Sequence, residues 1–203
     1  MEFNKKNLFF AFSVIVLVLA ILIFAFSLKN LNKIFTGYAS DTAQTYLDVE
    51  SQASIEFTVN STGWGKGAVN ETNQSAVLDT DGTVDGGNWS ENTQALFLEN
   101  KGNSNVSLEL RANNSASNFI GGSLITPLYQ IKLVSNATEP NACNSTNNFS
   151  SFQQINTSDS LACSIFQYIN ANDSLELDIK VRIPQDALPG NKTSLITATG
   201  TVI

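Results

Sequence analysis

Two hydrophobic patterns divide the chain. From Leu8 to Phe26 it reads LFFAFSVIVLVLAILIFAF, an apolar run whose one polar residue is Ser13. Such a run has neither the one-sided stripe of a surface helix nor the alternation of a half-buried strand. As a helix it would extend about 28 Å, close to the roughly 30 Å of a bilayer's hydrocarbon core. Lipid offers no partner to a backbone amide, so a helix is the state expected there.

After position 50 the period becomes two. Ser54–Asn60 sets Ile55, Phe57 and Val59 against Glu56 and Thr58. ALFLE (95–99) and VSLEL (106–110) flank Asn100-Lys101-Gly102-Asn103, a hairpin-turn signal. LYQIKLV (128–134) follows Pro127, and LELDIKVRI (175–183) alternates up to Pro184. Leu188-Pro189-Gly190-Asn191 then turns the chain into LITATGTVI (195–203). Short strands punctuated by Gly, Asn and Pro predict a mainly β fold. The expectation is an antiparallel β-sandwich, Ig-like or jelly-roll, behind one transmembrane helix. The divisions are a tail at 1–7, an anchor at 8–28, a linker or helix extension at 29–50, and a sandwich at 51–203. Ser135–Asn148 is the most loop-like stretch.

Lys5 and Lys6 precede the apolar run while Lys29 and Lys33 follow it, so flanking charge gives no orientation. The nearest small-residue cleavage motif, Gly37-Tyr38-Ala39, lies well beyond Phe26. A signal peptide has a shorter apolar core and a closer site, which favours a retained anchor over a cleaved one. The run also lacks the upstream Gly or Ala and the early Glu of pilin-type processing.

Sidedness comes from other residues. N-x-S/T triplets begin at Asn60, Asn70, Asn73, Asn88, Asn105, Asn113, Asn136, Asn144, Asn148, Asn156, Asn172 and Asn191. None precedes Asn60 and none has a central Pro. They are candidate N-glycosylation acceptors, which requires an extracytoplasmic domain; the alternative is chance in an Asn/Ser/Thr-rich chain. Cys143 and Cys163 are the two cysteines. They allow one intrachain bridge, with two buried thiols as the alternative, and cannot complete a zinc site without histidine.

The chain contains no histidine, which removes the commonest general base and metal ligand. From Asp41 onward seventeen acidic residues face seven basic ones. The basic residues are scattered, so neither nucleic acid nor anionic lipid is a partner expected for this region. No nucleophile has a partner base, and the reading is of a protein that is not an enzyme.

Three stretches, ASIEFTVNSTGWGKGAVN, ALFLENKGNSNVSLEL and IKVRIPQDALPGNKTSLITATGTV, resemble archaeal cell-surface proteins. Those proteins have an N-terminal membrane segment and an Ig-like or pilin-like β-sandwich. The likeness runs from about Ile55 to the C-terminus. It implies a surface or filament role.

Two small-site candidates remain. Asp79, Asp81 and Asp85 alternate around Gly82 as carboxylates of a calcium loop do, although an acidic turn has the same composition. Trp64, in a glycine-rich loop, and Trp89, inside a sequon, could stack on a sugar or fold over a sheet edge. The expected role is a membrane-tethered, glycosylated structural surface protein. Self-association through terminal strands or packed helices would make it an assembly subunit. The other reading is a binding module that recognises glycan or protein through the two tryptophans.

Overall fold

The computed structural model describes residues 5–34, 44 and 46–203. The chain falls into two compact units that divide between Asp48 and Val49. In the first, helix α1 spans Lys5–Ile34, 30 residues, or about 45 Å. It outruns the expected anchor at both ends. The Gly37-Tyr38-Ala39 cleavage motif lies outside the described residues. Consecutive side chains from Val14 to Leu19 are 44–61% exposed, so α1 presents apolar surface on every face. Over the described side chains, whose unbroken run is Phe12–Leu28, no helix is long and apolar enough to cross a membrane.

The second unit is built from antiparallel strands. They are β1 (Ile55–Val59), β2 (Ser75–Asp79), β3 (Val84–Asp85), β4 (Leu96–Asn100) and β5 (Val106–Ala112), then helix α2 (Ala116–Phe119). After it come β6 (Leu128–Ser135), β7 (Gln153–Gln154), β8 (Ser160–Phe166), β9 (Ser174–Pro184) and β10 (Ile196–Val202). Seven form one sheet and three form the other, in the order β10-β5-β8.

β9 organises the larger sheet. Its Leu175–Arg182 pairs with β6 along one edge. On the other edge β4 takes Ser174–Leu177 and β2 takes Lys180–Pro184, end to end. Leu175, Leu177, Ile179 and Val181 point inward and are almost fully buried. They join Leu78, Leu98, Ile131 and Leu133 of the same sheet and Val106, Leu108, Leu110 and Phe166 of the other in one core. Each such side chain contributes about 1.5–3 kcal/mol when withdrawn from water.

The expected hairpin at Asn100–Asn103 is instead a crossover, because β4 lies in the large sheet and β5 in the small one. Buried Asn100 makes the arch: its Nδ2 donates to the carbonyls of Ser104 and Phe166, and its Oδ1 accepts from Gly102 N–H. Alternation tells each strand which face is buried but not which neighbour it pairs with.

The loop-like stretch also gains order. Residues 142–149 run beside β8, with Asn144 N–H donating to Ile165 O, Ser164 N–H to Thr146 O, and Asn148 N–H to Ala162 O. Leu133 N–H donates to Phe149 O, linking the segment to β6. The Cys143–Cys163 disulfide fastens it covalently to β8. This patch joins the open edges of the two sheets.

Replacing both cysteines with serine should lower stability by roughly 3 kcal/mol, the chain-entropy value for a loop of this size. Denaturant unfolding of the purified protein measures it; an unchanged midpoint would show that the hydrogen bonds alone hold the patch.

Candidate functional site

The Asp79–Asp85 segment forms the β2–β3 hairpin. Asp79 Oδ1 accepts from the N–H groups of Asp81 (3.2 Å) and Thr83 (3.0 Å). Its Oδ2 lies 3.2 Å from Lys180 Nζ. Gly82 occupies the positive-φ position, φ 93°, which glycine adopts without a steric penalty. Asp81 pairs with Lys132 at 3.0 Å, and Asp85 pairs through its backbone with Val77. The three carboxylates do not meet around a common point. Among the described residues no group of three or more His, Cys, Asp or Glu is placed to hold a metal ion. The calcium expectation therefore gives way to an Asx-type turn joined to neighbouring lysines.

Those lysines belong to a network that sequence alone did not reveal. Lys132 on β6 faces Asp178 on β9 in register, with Nζ 3.0 Å from its carboxylate. Asp178 also accepts from Thr80 Oγ1 at 3.0 Å, and Thr80 Oγ1 accepts from Ile179 N–H at 2.9 Å. Lys132 and Lys180 lie 4.9 and 4.1 Å from the centroid of the Phe152 ring, within cation–π range. Alternation on β9 turns Asp178 and Lys180 outward together. Finding their partners required the β6–β9 register and the Phe152 fold-over, which no local pattern carries.

The electrostatics fit this arrangement. Burial pushes the Asp79 carboxyl up, but hydrogen bonds from Thr83 and Lys180 outweigh it and hold it below its ordinary value. Burial pulls Lys132 down, yet Asp81 and Asp178 more than compensate and raise it. Burial, followed by the adjacent Asp178, raises Glu176. At the start of β9, Glu139 Oε2 accepts from the N–H groups of Asp173 and Ser174. Burial, followed by this neighbouring carboxylate, raises Asp173. Asp79, Asp81 and Asp178 are thus paired with lysines, while Glu176 and Asp173 each sit beside another carboxylate.

Both tryptophans fold back rather than outward. Trp64 packs on the core, and its Nε1–H donates to Asp79 O at 3.3 Å. Trp89 also packs on the core, with its ring lying against Gly67 and Gly87 so closely that a Cβ at either would collide with it. The geometry selects the sheet-edge role over ligand stacking.

The sequons are rim positions. Asn60, Asn70, Asn88, Asn113, Asn144, Asn148, Asn156 and Asn191 are exposed; Asn73, Asn105, Asn136 and Asn172 are half-buried. The fully buried asparagine, Asn100, is not a sequon. The two cysteines are bonded to each other, as the paired reading expects. No protein-family model, curated protein or solved structure matches this chain.

Trp89→Ala should cost on the order of 2–3 kcal/mol, below the full penalty for a deeply buried tryptophan. Unfolding measurements with and without added sugars test this; a variant that loses sugar binding but keeps its stability would restore the stacking reading. The pH profile should carry two opposite signatures. Asp79, with its lowered pKa, contributes stability above about pH 3.9 that is lost as pH falls through its folded value. Asp173, with its raised pKa, contributes stability below about pH 3.9 that is lost as pH rises through its folded value. Asp79→Asn should flatten the acid limb and Asp173→Asn the limb above it. Denaturation across a pH series reads both, and unaltered limbs would contradict these assignments.

Proposed function

We propose that this chain is a membrane-tethered, N-glycosylated structural protein of a cell surface, of archaeal envelope type, and a subunit of an extracellular assembly. The observation that carries the reading is a single chain joining a 30-residue helix with an apolar centre, Leu8–Phe26, to a disulfide-fastened β-domain. A helix hydrophobic on every face needs apolar surroundings. Leu8–Phe26 has the length and composition to find them in a bilayer. A persistent disulfide belongs in an oxidising compartment, which supports placing the second unit outside the cytoplasm.

The domain in this reading is an Ig-like or jelly-roll module whose work is mechanical. Its outward charges satisfy one another and its tryptophans brace the sheet edge, so the reading assigns it no catalysis. Rim sequons would surround it with sugar while leaving the strand faces bare. Among the terminal strands, β10 lies at one edge of its sheet, where a free row of backbone groups suits subunit contact.

The test is to shear native cells, pellet the released material and examine it by electron microscopy and peptide mass spectrometry. Recovery of this chain in filaments or sheets is expected. Recovery only from detergent-solubilised membranes, as dispersed protein, would overturn the assembly role.

A further inference from the structure

We infer that the fold sorts its own sequons, presenting six as glycan acceptors and withholding the rest. The inference rests on the glycoprotein reading and concerns which positions carry sugar. Transfer requires that Asn Nδ2 reach the anomeric carbon of an activated donor, here a polyprenyl-diphosphate-linked glycan. A C–N bond forms, and the anomeric C–O bond breaks with its electron pair leaving on the diphosphate. Nδ2 gives up one of its two protons, which passes to water. An asparagine half-buried in the fold, or with its Nδ2 already donating inward, meets this requirement poorly.

Asn60, Asn70, Asn88, Asn113, Asn144 and Asn191 are exposed, and among the described residues none uses its Nδ2 in a hydrogen bond. Two of them are held ready. Asn88 Oδ1 accepts from Ala68 N–H at 2.6 Å, beside the Trp89 ring packed against Gly67 and Gly87. Asn113 Oδ1 accepts from Ser194 Oγ at 2.9 Å and Leu195 N–H at 2.8 Å. In both the amide oxygen is tied to the fold while the nitrogen is left to solvent, so attachment there sacrifices no native contact.

The remaining sequons are engaged or recessed. Asn148 Nδ2 donates to Leu161 O at 3.0 Å, inside the patch beside β8. Asn136 Nδ2 reaches Ser174 Oγ and Asn156 Nδ2 reaches Ser160 Oγ, each at 3.4 Å. Asn105 has its Oδ1 buried without a partner, while Asn73 and Asn172 are half-buried. A glycan at Asn148 would be brought against the strand that the disulfide fastens, since Nδ2 faces Leu161 O.

The experiment is site-by-site glycopeptide mass spectrometry on the full chain purified from its native membranes. Occupancy several-fold higher at the six presented positions than at the other six is expected. Comparable occupancy at Asn105 or Asn148 and at Asn88 or Asn113 would overturn the sorting while leaving the glycoprotein reading intact. A chain without glycan at any sequon would overturn that reading and the inference with it. Asn88→Gln, analysed as the intact protein, should remove the mass of one glycan; Asn148→Gln should remove none, and the reverse pattern overturns the inference.

Discussion

The shared strand β9 is the constraint on which the β-domain depends. One strand of eleven residues holds β6 on one edge and two shorter strands, β4 and β2, in tandem on the other. Where β4 ends and β2 begins, the ladder would be left with unpaired groups. Thr80 fills that seam: its N–H donates to Ile179 O, while its hydroxyl accepts from Ile179 N–H and donates to Asp178. A buried amide without a partner would cost about 1–3 kcal/mol, so a threonine there holds two strands in line. The inward face of β9 supplies four side chains to the core, and its outward face supplies the charges.

Those outward charges explain why an acidic domain can be compact. Asp178 is 3% exposed, and a carboxylate that deep is tolerated only when bonded. Lys132 and Thr80 provide the bonds. The half-exposed lysines cap the buried acids and rest against Phe152, a local solution to burial. Its partners arrive from β6, the β2–β3 turn and the segment before β7, making the network a consequence of tertiary register.

How much was legible in the sequence follows from range. The alternation of LELDIKVRI located β9 almost to the residue, because both of its faces obey period two. IEFTV, LFLEN, LYQIKLV and the terminal strand were legible for the same reason. β8 was not: bulges shift its register against β5, so Ala162 and Cys163 are both buried in succession and the alternation breaks. The hairpin expected between β4 and β5 failed because a polar Asn-Lys-Gly-Asn turn signals a reversal without saying into which sheet the chain returns. Among site residues, the cysteine pair and the exposed sequons follow from composition and local chemistry. The aspartates found partners far away in sequence, Lys180 and Lys132, while the Trp89 ring lies against Gly67, twenty-two residues before it, and the nearby Gly87.

The proposed role sets the disulfide-fastened β-domain outside a membrane that the hydrophobic helix α1 holds. Labelling intact cells with a membrane-impermeant amine reagent tests this most directly, followed by an alkaline wash of the membranes and peptide mass spectrometry. Exposed Lys66 and Lys192 should be modified before lysis, with the chain remaining in the washed membrane pellet. Modification only after lysis, or release of the chain into the soluble fraction, would contradict it.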